Sequence, residues 1–139
     1  HWDVAKLAGY HSGCPVSLYP LTNEYNLCVA ITKHTGANSY LINRYAAQIY
    51  LERLLPMKLP YDHAFDRPWL YGLKFRMVTP ALCRPDESGV LPSTISDTRQ
   101  QKLPAYRRFS VVLYRASNET LRVLYGVGVV LRHWLKLCR

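Results

Sequence analysis

The chain is short of acid. Its 139 residues carry 9 Asp and Glu against 18 Lys and Arg, for a formal net charge of +9. Such a surplus points to a phosphate-bearing or membrane-surface partner, without separating nucleic acid from anionic lipid or a nucleotide diphosphate. Cysteine is sparse and unpaired in pattern. Cys14, Cys28, Cys83 and Cys138 form no CxxC and have no histidine at zinc spacing, so they read as core thiols of a reduced, cytosolic protein. Neither GxGxxG nor a P-loop occurs, which leaves dinucleotide and Walker-type sites unsupported. GxSxG is absent as well, and no Ser or Cys comes with a recognisable base. No RNP-like strand, zinc knuckle or clear helix-turn-helix accompanies the basic charge, so no nucleic-acid partner is expected. The apolar run Val123–Leu131 has nine residues, under half of the ~20 needed to span a bilayer. There is no initiating Met and no signal-peptide pattern, and a strand-like run starts almost at once. The chain looks like a fragment cut from a longer one.

What is present is ordinary for one globular domain, with 49% hydrophobic and 19% charged residues. Eleven tyrosines suit half-buried strands and polar, sugar-like ligands alike. Residues 2–8 and 25–33 read as strands, and "HSGCPVSLYPLTN" between them as a loop punctuated by Pro15 and Pro20. Ser39–Ile42 is a short strand. Asn43 then caps a helix over 44–55 that Pro56 ends. A further strand covers 74–82, followed by a polar loop. Alternating strand, helix and strand favour an α/β architecture.

Residues 101–139 differ. Eight Lys and Arg face one acid, Glu119, a net of +7 that holds most of the excess charge. At about 100° per residue, Glu119, Arg122, Arg132, His133, Lys136 and Arg139 fall within an arc of roughly 160°. Leu121, Leu124, Val127, Leu131, Trp134 and Leu135 lie opposite. A basic amphipathic helix with Trp on its apolar side suits an anionic membrane surface. A helix packed on its own domain with solvated charges suits the pattern equally, and Gly126 and Gly128 weaken any helix.

The chemistry candidates centre on "LPYDHAFDR", residues 59–67. Asp62 behind Pro60 fits the cap or first turn of a short helix, where a carboxylate meets backbone N–H groups and the positive end of the dipole. On that helix Asp62 and Asp66 would share a face beside His63, an arrangement with some capacity for a divalent metal. A carboxylate reaching a substrate hydroxyl is the third option.

The ordered motifs "TGANSYLINRYAAQIYLERLLP" and "LPYDHAFDR" resemble the second half of family 25 glycosyltransferases, the bacterial lipopolysaccharide and lipooligosaccharide biosynthesis galactosyltransferases. The match runs through Gly36, Tyr40, Ile42, Ala46–Ala47, Pro60 and Asp62. "VTPALC" and "STIS" are similar to the family's next strand and serine-containing loop, and "WDVAKLAG" to the strand after its acidic motif. Residues 2–98 are covered. The resemblance implies a GT-A-like fold of which this chain is the second half (residues 1–100), followed by a basic amphipathic helical tail (residues 101–139). It implies transfer of a hexose, galactose by family habit, from a UDP-sugar to a lipooligosaccharide-type acceptor at the cytoplasmic face of the inner membrane. Asp62 would be the catalytic carboxylate, with Gly36, Tyr40, His63, Asp66, Ser93 and Ser96 as substrate-binding residues.

One departure is large. Members of the family carry a DxD-like motif that holds a divalent metal, Mn or Mg, and the donor diphosphate. None occurs among Asp3, Asp62, Asp66, Asp86 and Asp97. The motif would precede residue 1, so the donor half and its metal ligands are expected outside this chain, and the chain alone is expected to be inactive. The alternative is a non-enzymatic basic module for a membrane surface or an anionic ligand.

Overall fold

The structure, a computed structural model, describes residues 1–8, 13–34, 36, 38–57, 59–83 and 105–138. Five strands form one mixed sheet: β1 (Val4–Lys6), β2 (Pro15–Pro20), β3 (Asn26–Ala30), β4 (Tyr40–Ile42) and β5 (Phe75–Thr79), in the order β2-β3-β5-β1-β4. Only β1 and β5 run parallel; every other neighbour pair is antiparallel. Among the described residues four helices accompany them: α1 (Arg44–Arg53), α2 (Tyr61–Phe65), α3 (Pro68–Tyr71) and α4 (Ala105–Leu137). The expected mixture of helices and strands is therefore present, in a sheet that is mostly antiparallel.

Most boundaries follow from local chemistry. Asn43 caps α1 as its side chain foretells, its Oδ1 accepting from Ala46 N at 2.8 Å. Its Nδ2 donates to Asp3 Oδ1 at 2.9 Å, while Asp3 Oδ2 accepts from Lys74 N at 2.8 Å. Asp3 thus fastens the starts of α1 and β5 to β1. Gly72, at φ 65°, closes α3 in the left-handed conformation that a glycine adopts without a steric penalty.

One segment differs from expectation. The stretch around Pro15 and Pro20 is not a loop but strand β2, joined to β3 by a turn in which Thr22 Oγ1 accepts from Glu24 N and Tyr25 N. The prolines are tolerated because β2 lies at the sheet edge and they sit at its two ends.

β1 is buried at every position and β5 at four consecutive ones, so both faces of the central strands are covered. One core cluster joins Val4 and Phe75 to Ala46 and Tyr50 of α1, Phe65 of α2 and Leu73. Phe65 is its hub, ringed by Tyr40, Tyr50, Tyr61 and Phe75 at centroid distances of 4.7, 5.0, 5.3 and 5.5 Å. Of the four cysteines expected in the core, only Cys28 is buried; Cys14, Cys83 and Cys138 are exposed.

Helix α4 docks the reverse way from a usual amphipathic helix. Arg122 and Gly126 are buried against the body, whereas Leu124, Leu131, Trp134 and Leu135 are 63%, 57%, 63% and 69% exposed. Gly126 makes this possible rather than breaking the helix. A Cβ there would lie 3.1 Å from Ile31 Cα and 3.2 Å from Ala30 O, tighter than ordinary contact, so glycine lets α4 approach the end of β3 this closely without displacing its backbone. His133 reaches Tyr19 of β2 edge-on at 4.8 Å, and Tyr125 donates its hydroxyl to Leu73 O at 2.9 Å.

Candidate functional site

β1 carries Lys6 at its carboxyl end, opposite Tyr40 of β4 and Met77 of β5. A lysine at the third position of a three-residue buried strand is costly unless its charge is met. It is met twice over. Nζ donates to His34 O at 2.8 Å, and α2 sets Asp66 and Asp62 where their charges favour the ammonium. Burial still dominates and lowers the Lys6 pKa to about 8, with Arg122 pushing the same way.

The two carboxylates of α2 have different fates. Asp66, with its side chain 14% exposed, pairs through Oδ2 with Arg122 Nη1 at 3.0 Å, while Arg122 Nη2 donates to Asp66 O at 3.4 Å. Burial raises its pKa to about 6 despite the opposing pull of Arg122 and Lys6. Glu119, one turn before Arg122, comes within 3.9 Å of the same guanidinium, which also stands over the Trp69 ring at 5.6 Å. Asp62 remains half-exposed in the first turn of α2; its Oδ1 accepts from His63 N at 2.9 Å, and Pro60 rather than Asp62 holds the cap position. Asp62 thus keeps an oxygen for a ligand at a half-exposed position, whereas Asp66 is held by the Arg122 guanidinium.

Beside Asp62, the hydroxyls of Tyr40 and Tyr61 share a hydrogen bond of 2.8 Å. Burial and that bond raise the Tyr61 pKa above its ordinary value, so its phenol stays protonated at neutral pH. Gly36 lies two residues beyond His34 with φ at 94°, a conformation that a side chain would strain. His63 is exposed, and no side-chain partner holds it among the described residues. Of the residues singled out in the sequence, Tyr40, Asp62 and Asp66 are thus drawn toward Lys6. Ser93 and Ser96 lie outside the described residues. The sequence reading assigns Lys6 no role and Arg122 only a place in the basic arc of the tail; a lysine inside "DVAKL", which breaks an otherwise apolar strand, is the available signal for the first.

The described residues contain no group of three or more His, Cys, Asp or Glu that could hold a metal. Asp62 and Asp66 sit one turn apart as the spacing foretells, but Arg122 already neutralises Asp66 and no third ligand joins them. These residues do not fit a divalent-metal centre. The void between Asp66, Arg122, Trp69 and Arg76 is about 20 Å³, room for one water and not for a sugar.

A far larger cleft, about 820 Å³, opens between α4 and the β2–α3 side of the body. Lys74, Arg76, Arg132 and Lys136 line it together with Tyr19 and Trp69, and no carboxylate does. No protein-family model, curated protein or solved structure matches this chain. Its chemistry has to be read from these two places.

Proposed function

We propose that this chain is the second half of a GT-A-like glycosyltransferase similar to family 25. It would move a hexose, galactose by family habit, from a UDP-sugar to a hydroxyl of a lipooligosaccharide-type acceptor. The setting would be the cytoplasmic face of the inner membrane, with the enzyme peripheral to it. What supports the reading is the convergence of Tyr40 and Asp62, from two motifs of the resemblance, beside Lys6 at the carboxyl end of β1. The carboxyl ends of parallel strands are where open α/β sheets place their ligands.

Within that reading Asp62 takes the proton of the acceptor hydroxyl as its oxygen attacks the anomeric carbon and the nucleotide diphosphate departs. The His63 N–H holds one carboxylate oxygen and leaves the other for the acceptor. The Tyr40–Tyr61 hydroxyl pair offers a donor and acceptor rim suited to sugar hydroxyls. Asp66 and Arg122 hold the site together from behind. A divalent ion would screen the diphosphate in the complete enzyme, on ligands that the described residues do not supply.

The test is Asp62→Asn in the complete enzyme, with turnover and acceptor KM measured separately. Turnover is expected to fall at least ~100-fold with little change in KM, as for loss of a general base. Near-normal turnover would reduce Asp62 to a first-turn residue of α2. A second reading, a non-enzymatic module for an anionic ligand, draws on the carboxylate-free cleft beside α4. Absence of sugar transfer by the complete protein would select it.

A further inference from the structure

We infer that α4 is an interfacial docking helix for an anionic phospholipid surface, with the adjoining cleft receiving a lipid phosphate. The observations are independent of the reaction proposed at the carboxyl end of β1.

The first is orientation. Between residues 109 and 138 the charged side chains are Arg115, Glu119, Arg122, Arg132 and Lys136, and all fall within about 80° of Arg122, the residue turned to the body. The opposite half of the helix is uncharged from Phe109 to Cys138 and presents Leu121, Leu124, Val127, Leu131, Trp134 and Leu135 to solvent. Monomeric proteins rarely leave a stripe of that length bare, and an apolar face rimmed by polar residues marks an interaction surface. The polar half is already pinned to the body by the Arg122–Asp66 pair, the Tyr125–Leu73 hydrogen bond and the Gly126 contact. Rolling the helix to hide its apolar side would break all three.

The second is charge beside that stripe. Leu121 and Leu124 form one wall of the 820 Å³ cleft, and Lys74, Arg76, Arg132 and Lys136 supply cations to it. Its apolar wall is thus continuous with the exposed face, and its basic wall lies toward the body. Arg76 is 8% exposed and keeps a buried Nε without a hydrogen-bond partner, while Nη1 donates to Phe75 O at 2.8 Å. No carboxylate lines the cleft to meet these cations, and a phosphate oxygen is a partner that they admit.

Charge decides between occupants. A second copy would set one +9 chain against another, whereas an anionic bilayer is attracted to the basic wall and accepts the stripe in its headgroup–acyl boundary. No described helix is long and apolar enough to cross a membrane, so α4 would lie in the interface plane. Trp134, 63% exposed, would sit at the headgroup level that tryptophan favours.

The experiment is flotation of the full 139-residue chain with vesicles of phosphatidylcholine alone and of phosphatidylcholine with one quarter phosphatidylglycerol. Binding to the anionic vesicles is expected to be at least about tenfold stronger and to weaken with salt. Arg132→Glu/Lys136→Glu should lose most of the anionic preference. Leu124→Glu/Leu131→Glu, at exposed positions that leave the fold intact by circular dichroism, should abolish binding to both vesicles. Equal binding to neutral and anionic vesicles would overturn the proposal, as would full binding by the leucine variant. A chain that ignores vesicles but sediments as a dimer, dissociated by Leu124→Glu/Leu131→Glu, would assign the face to a second copy instead. Flotation reads no chemistry, so its outcome is independent of the Asp62→Asn test.

Discussion

The sheet body and helix α4 bury opposite kinds of surface. The body hides Val4, Phe65, Leu73 and Val29 almost completely, as a core should, whereas α4 turns Arg122 and Gly126 inward and leaves its leucines and Trp134 outside. Amphipathicity alone therefore does not say which side of a helix meets its own domain. Burial of leucine is non-directional and adapts to many partners. An ion pair with a fixed acceptor and a glycine at a backbone contact are directional, and here they set the rotation of the helix.

The strongest way to break this contrast is Arg122→Ala, which strips Asp66 of its buried partner. A loss of about 3 kcal/mol at pH 7, read by urea unfolding, is expected from such removal. The loss should shrink at pH 5, because Asp66, already raised to about 6, takes up a proton once its cation is gone. Gly126→Val comes next. Its branched side chain meets β3 backbone, so a cost of about 1–3 kcal/mol and faster proteolysis of α4 are expected.

Lys6→Met tests the body side, and its readout is a slope. The folded pKa of Lys6 is depressed from 10.5 to about 8, so its stabilising contribution is complete above 10.5 and lost as pH falls through 8. Stability of the wild-type chain should rise between pH 8 and 10.5 relative to Lys6→Met, compared by unfolding midpoints across that window. Asp66 acts oppositely: its raised pKa favours folding below 3.8, a gain lost as pH rises through 6. Smallest of all is Leu135→Ser. At 69% exposure it should move stability by under about 0.5 kcal/mol; a larger loss would mean that the apolar face is covered within the chain itself.

Much of the body was legible in the sequence because its signals are local. Asn43 before an apolar-striped segment, Pro56 after it and the apolar run at 27–30 each act on their immediate neighbours. β2 was misread for a tertiary reason: prolines are strand breakers unless the strand lies at an edge, and edge position is not local information. The same holds for the site. The short helix carrying Asp62 could be foretold from Pro60 and the acid behind it. The division of labour between Asp62 and Asp66 could not, because it is decided by Arg122, 56 positions further along the chain. Gly126 looks like a weakness of the helix in the sequence for a similar reason: its value lies in what it touches.

The edges of the sheet carry a last consequence. β2 begins and ends in proline, and β4 at the opposite edge is three residues long. Neither offers a long row of free backbone donors and acceptors on which another chain could template, so the sheet resists fibrillar growth by strand addition. That protection is worth having in a molecule with an uncovered greasy helix. If such copies meet at high concentration, they should cluster reversibly through side chains rather than convert irreversibly into cross-β aggregates.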